Sequence, residues 1–226
     1  MNYGEGFGLL EGLRAEKESN QRFKFDVVMA NPPFAGDIRE SRILHKYELG
    51  RNPDGKFQSK VGRDILFIER NLDFLKPGGR MAIVLPQGRF NNTTDKYIRD
   101  FISEHARILA VVGLHGNTFK PHTGTKTSVL FVQKWDEKLC PRPDSDDYPI
   151  FFAVSENGGK NNSGDYNYVK DDEGKPKLDS DDHMIVDHDL HNHTCRLPDG
   201  MEKAFLPDGI AEAFLDWAKK EKLSFV

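Results

Sequence analysis

From Phe25 the chain reads FDVVMA, five apolar residues in six, and stops at Asn31-Pro32-Pro33, where proline's fixed φ and missing N–H forbid a continuing central strand. The pattern predicts a buried strand running into a rigid turn. Residues 35 to 62 carry Gly36, Gly50, Pro53, Gly55 and Gly62 with no sustained apolar period, which predicts a long loop. After Asp64, Ile65, Ile68, Leu72 and Leu75 recur at helical spacing, predicting an amphipathic helix ended by Pro77-Gly78-Gly79. Met81 to Leu85 predicts a second strand. Thr93-Thr94-Asp95 caps a second helix with Tyr97, Ile98, Phe101 and Ile102 facing inward, and Ile108 to Leu114 and Thr127 to Trp135 predict two more strands.

Continuous apolar strands alternating with helices predict an α/β fold whose parallel sheet is covered on both faces. The loop 116 to 126 leaves no room for a helix between the last two strands, which favours one antiparallel strand. Beyond Trp135 the acidic stretch to Asp189 reads as weakly ordered apart from a short strand at Ile150 to Val154, and Ile210, Ala213, Phe214 and Trp217 predict a terminal amphipathic helix. No internal repeat is read. The expected division is an N-terminal remnant (1–24), a core (25–135), an acidic loop-rich extension (136–209) and a C-terminal helix (210–226).

The 226 residues, 37% apolar and 30% charged, suffice for one sizeable core. The longest apolar run, Ile108 to Leu114, is far short of the roughly 18 residues of a membrane span, and the first twenty residues lack a secretory signal, so a cytoplasmic protein is expected. There Cys140 and Cys195 are expected to be free thiols. The net charge of −4 conceals a split: +6 over residues 1 to 135, −9 over 136 to 189 and −1 over 190 to 226. A polyanion would prefer the first segment.

The chemistry concentrates in Asn31-Pro32-Pro33-Phe34, at the carboxyl end of the first strand, where open α/β sheets bind ligands. Both prolines lock φ, and Pro32 holds Asn31 away from the helical region, so the Asn31 amide and the Pro32 carbonyl are nearly fixed relative to each other. Two acceptors can then converge on one amino group. An exocyclic amine on an aromatic base is a poor nucleophile because its lone pair is delocalised, and accepting both N–H bonds favours the pyramidal, reactive form. Phe34 supplies a flat face for an extruded base. The bland alternative is a strand-terminating turn.

FDVVMANPPF, GRDILFIERNLDFLKPGGRMAIVLPQGRF and HGNTFKPHTGTKTSVLFVQKW, across residues 23 to 135, resemble the amino-group DNA methyltransferases, particularly the N6-adenine modification subunits of type I restriction systems. The resemblance implies the carboxyl-terminal half of a Rossmann-like class I methyltransferase sheet. It also implies that Asn31 and Pro32 hold the adenine N6 amine beside S-adenosylmethionine while Phe34 stacks on the ring and Pro33 stiffens the corner. Implied partners are double-stranded DNA and the specificity and restriction subunits. A relative acting on RNA or on a protein glutamine amide is a further reading.

In that family the glycine-rich cofactor turn precedes the Asn-Pro-Pro-Phe strand. Gly4-Glu5-Gly6-Phe7-Gly8 lacks a preceding strand, so it is not read as that turn. The chain alone is therefore expected to be inactive, with the Phe25 strand presenting an apolar edge to residues 1 to 20, a second copy or an amino-terminal half. The competing expectation is a non-catalytic DNA-binding or assembly fragment.

Weaker signals are the +4 segment 39 to 63 (Arg39, Arg42, Lys46, Arg51, Lys56, Lys60 and Arg63), suited to phosphates or to a solvated loop. His115 and His122 are read as polar loop residues. The spacing of His183, His188, His191, His193 and Cys195 fits no standard zinc pattern, and no metal is expected.

Overall fold

A computed structural model describes residues 24–144, 147–179, 181–196, 202–204 and 209–225. Residues 1–23 of the N-terminal remnant, with the Gly4 to Gly8 segment, lie outside these residues. The strands are β1 (Phe25–Ala30), β2 (Asp37–Ile38), β3 (Val61–Gly62), β4 (Leu75–Pro86), β5 (Ala106–Gly113), β6 (Thr127–Lys134), β7 (Phe151–Val154), β8 (Thr194–Arg196) and β9 (Glu202–Ala204). The helices are α1 (Ser41–Leu44), α2 (Arg63–Phe74), α3 (Gly88–Asn91), α4 (Lys96–His105) and α5 (Ile210–Lys220), with a 3₁₀ turn at Thr93–Asp95 before α4. Five strands form one sheet in the order β1-β4-β6-β5-β7. Pairs β1–β4 and β5–β7 are parallel, so the anticipated α/β class is the observed one.

Two compact units are distinguished. The first comprises residues up to Ile83, Asp100–Arg107 and Val132–Arg142. In it α2 buries Ile65, Leu66, Ile68 and Leu72, and Leu75, Met81, Ile83, Phe101 and Ile102 are buried as well. Each such burial stabilises by about 1.5–3 kcal/mol. The helix stops at Phe74, earlier than expected, and Pro77-Gly78-Gly79 lies inside β4. The β1–β4 register explains this: Phe25 pairs with Leu75 but Val27 with Arg80, so the extra residues bulge. Gly78 sits at φ +74°, and a Cβ on Gly79 would meet the Phe25 and Asp26 carbonyls at 3.1 Å.

Two further expectations are corrected in this unit and its loop. β1 ends the strand order and is covered on one face only, so Phe25, Val27 and Met29 are 44, 52 and 82% exposed rather than buried. The 35-to-62 stretch is built: β2 and β3 pair antiparallel, and Leu44, Leu49 and Val61 are buried. Their apolar residues are too sparse for any period to show.

The second unit comprises Val84–Arg99, Ile108–Phe131 and Pro143–Val226. Leu109, Ala218 and Leu223 are buried there, with Phe131, Phe214, Trp217 and Phe225 packed against them. The expected terminal helix exists, although its fully buried residue is Ala218 and Ala213 is exposed. The acidic stretch is more ordered than its composition suggests, and it does contain a repeat. Bridges Lys160↔Tyr166, Lys170↔Pro176 and Leu178↔Met184 each close a tight turn. Asn161 Oδ1 accepts the amides of Ser163, Gly164 and Asp165 at 2.9–3.0 Å, Asp171 those of Glu173 and Lys175 at 2.9 Å, and Asp179 those of Asp181 and His183 at 2.9 Å. Gly164, Gly174 and Asp182 take positive φ at the matching position. The sequence signal is an Asx residue three before a left-handed residue.

Candidate active site

Asn31 follows β1 directly, one residue past the Ala30↔Ile83 pair. Asn31 and Pro33 are exposed, Pro32 is buried and Phe34 is half-buried. The corner is therefore open at its amide: Pro32 anchors it, and the Asn31 side chain stands in solvent at the carboxyl end of the strand. A carboxamide oxygen held there, with the adjacent carbonyl, can accept two hydrogen bonds from one amine.

The basic segment that follows is partly tied to itself. Asp37 pairs with Lys60 at 3.5 Å and Arg39 at 3.8 Å. Arg51 donates to the Gly55 carbonyl at 2.9 Å and lies 3.7 Å over the Phe57 ring, on which His45 also stacks. Arg42, Lys46 and Lys56 are exposed. Sequence reading missed the group that fixes this segment, Glu69 on α2, whose carboxylate accepts the Glu48 and Leu49 amides, each at 2.9 Å. Burial raises the Glu69 pKa, and the Leu49 and Glu48 amides only partly offset it, so both oxygens form a structural clamp.

A mostly apolar cavity of about 180 Å³ is lined by Ile38, Ile43, Tyr47, Leu66 and Phe67, with Arg63 and Arg70. It is smaller than typical ligand pockets and none of the four motif residues lines it.

In the second unit His115 has a loop role: its Nδ1 accepts the Asn117 amide at 3.2 Å and its carbonyl accepts the Thr118 hydroxyl at 2.8 Å. His122 is exposed. Residues not anticipated join this loop to the acidic stretch. Asn117 donates to the Lys160 carbonyl at 3.1 Å, and Lys160 Nζ donates to the carbonyls of Thr118 at 3.2 Å and Lys120 at 3.0 Å.

Of the five histidine and cysteine residues near the C-terminus, the structure gathers three. His188, His191 and His193 have ring centroids 4.6–4.8 Å apart. Burial, then the neighbouring imidazoles, lowers the pKa of His188; burial, then His191, lowers that of His193. His183 lies instead 3.7 Å from Asp179, and the Cys195 side chain is outside the described residues.

Comparison with known proteins bears on the motif. The family model "N-6 DNA Methylase" matches residues 10–193. The chain is 31% identical over 110 residues to the EcoEI type I restriction enzyme methylase subunit of Escherichia coli, covering 48% of this chain and 21% of that protein. It is 28% identical over 119 residues to defense against restriction protein B of Escherichia phage P1, covering 52% of this chain and 5% of that one. The type I restriction-modification methyltransferase subunit from Streptococcus thermophilus superposes with a TM-score of 0.46 at 25% identity, covering 67% of this chain and 30% of the other. The chain thus spans a small part of its curated relatives, while the family match takes in the motif, both strands of its parallel pair and the whole acidic stretch from 136 to 189. This protein belongs to the N-6 DNA methylase family.

Proposed function

We propose that the chain contributes the amine-holding part of a type I modification methyltransferase acting on adenine N6 in double-stranded DNA. The observation that carries this reading is the exposed Asn31 amide on a proline-fixed corner at the end of β1, inside the family-matched segment. Asn31 and the Pro32 carbonyl accept the two N6 hydrogens, Phe34 stacks on the flipped ring, and Pro33 keeps the corner stiff. As N6 gains a carbon bond it loses a proton to solvent. S-adenosylmethionine, when bound, would supply an electrophilic methyl group, its sulfonium sulfur leaving as a neutral thioether. Asn31 and Pro32 are the residues here that would meet it. The exposed β1 side chains Phe25, Val27 and Met29 are apolar, so they offer nothing to ribose hydroxyls or a charged amino-acid head, and those contacts must come from other residues.

On this reading the 226 residues alone do not transfer methyl, and the specificity and restriction subunits are partners in a cytoplasmic enzyme. Among the described residues no helix is long and apolar enough to cross a membrane. The alternative is a DNA-binding or assembly role without catalysis. The test is transfer of labelled methyl from S-adenosylmethionine to double-stranded DNA by the assembled complex. Loss of transfer with DNA binding retained in Asn31→Ala supports the proposal. Full transfer by that variant sinks it, as would methylation by the isolated chain for the inactivity claim.

A further inference from the structure

His193 Nε2 lies 3.1 Å from His188 Nε2, and one nitrogen from each of His188, His191 and His193 falls within 4.8 Å of the others. At 3.1 Å one ring must donate and the other accept, since two bare lone pairs would repel. His188 Nδ1 accepts the Leu190 amide at 3.2 Å, so the shared proton sits on His188 Nε2 and the His193 Nε2 lone pair faces it. His191 Nδ1 faces the Asn192 carbonyl at 2.8 Å; a carbonyl only accepts, so Nδ1 carries the proton and Nε2 is left as a lone pair. That arrangement, a ligating nitrogen with its partner N–H held by a backbone oxygen, is the usual support of a metal-bound imidazole.

We propose that His188, His191 and His193 form a binding site for a late first-row divalent cation, with Zn²⁺ the best match. Three neutral nitrogens suit Zn²⁺, Ni²⁺ or Cu²⁺ and disfavour Mg²⁺ or Ca²⁺, which take oxygen ligands. With Zn–N bonds of about 2.0–2.1 Å, tetrahedral ligands stand roughly 3.4 Å apart. The His188–His193 pair is already near that separation, and His191, which is exposed, closes the remaining gap by side-chain rotation. On binding, the His188 proton moves from Nε2 to Nδ1 at the expense of the long contact to Leu190. The fourth position is left to water.

The backbone around the three rings is fixed independently of any ion. Ile210 and Ala211, the first residues of α5, donate to the carbonyls of Asp189 at 3.0 Å and Leu190 at 2.9 Å. Glu212 Oε2 accepts the amides of Gly209 at 3.0 Å and Asn192 at 3.1 Å. A Cβ on Gly209 would come within 2.7 Å of His191 Cα, so α5 and the histidine loop are in close approach. Spacing missed the site because His-x₂-His-x-His follows no zinc-finger pattern; the turn and the helix start bring the rings together. The proposal does not depend on the methyltransferase reading.

The experiment is calorimetric titration of the full chain, stripped of metal by chelator, with Zn²⁺, repeated with Co²⁺ read by visible absorption. The variants are His191→Ala, an exposed position whose loss leaves the fold intact, His193→Ala, and His183→Ala as the control from the separate Asp179 turn. One equivalent of Zn²⁺ should bind the wild type and the control alike. Both site variants should bind at least roughly tenfold more weakly, and bound Co²⁺ should show the intense d–d bands of a tetrahedral site. Absence of wild-type binding at about 100 µM Zn²⁺, corresponding to less than roughly 5.5 kcal/mol, overturns the proposal. So does unchanged affinity in either site variant, equal weakening in His183→Ala, or weak octahedral Co²⁺ bands.

Discussion

Ala30 pairs with Ile83 across the parallel β1–β4 ladder, and Asn31 is the next residue of the chain. The point where backbone pairing gives way is thus the point where the candidate catalytic amide begins. Pro32 is buried and Asn31 exposed, which separates anchoring from chemistry. Asn31→Ala in the assembled enzyme should lower kcat by about 10²–10³, by analogy with removal of one preorganised hydrogen-bonding group. The melting temperature should stay within a degree or so, because little is buried at that side chain. Equal losses in transfer and in stability would refute the separation.

Glu69 should titrate above its ordinary value of 4.5, because burial outweighs the amides of Leu49 and Glu48. With a raised folded pKa, its own contribution is full below the unfolded value and is lost as pH rises through the folded one. Carboxyl ¹³C NMR reads the midpoint directly, and a midpoint at or below 4.5 contradicts the stated balance. Glu69→Ala frees two amides and should cost about 1–2 kcal/mol in urea unfolding.

Cys140 is buried, and burial raises its thiol above 9.0, with Arg107 opposing and Asp136 assisting. Little thiolate forms near neutral pH, so Cys140 should react with a disulfide reagent far more slowly in the native chain than in urea. Peptide mapping after a timed label distinguishes it from Cys195. The same shift means its contribution to stability holds at neutral pH and declines as pH climbs beyond 9.0.

Met29 is 82% exposed on the uncovered face of the sheet's end strand. Met29→Lys should leave the unfolding free energy within about 0.5 kcal/mol and reduce self-association, as charge on an edge strand does. Light scattering across a concentration series is the check. Unchanged scattering would show that this face does not drive association.

The sheet was legible because its strands are apolar runs bounded by proline and glycine, as at FDVVMANPP and MAIVLP. The bulge at Lys76 to Gly79 was not, since Pro-Gly-Gly after a helix reads as a stop and only the pairing partner shows that a strand continues. The motif was legible because two prolines constrain a backbone whatever surrounds them. Glu69 and the histidine cluster were not, because each depends on a turn bringing together residues whose spacing alone carries no signal. Low hydrophobicity between 136 and 189 suggested disorder, but local side-chain-to-amide bonds at the turns, backbone bonds between their stems and the buried Ile185 order the segment.

Those self-closed corners have a practical outcome for length variation. The tip of each corner satisfies its own amides within five residues, but the stems are tied to one another by the Val169, Lys177 and Ile185 amides, which donate to the carbonyls of Ile185, Val169 and Lys177, so deleting a whole corner between Asn157 and Asp189 should scramble the arm and only the exposed tips should tolerate a change of length. A linker, tag or fluorophore inserted at Asp172-Glu173 should therefore cost only the exposed Asp171 turn, whereas the same insertion at Asn117 breaks its bond to the Lys160 carbonyl.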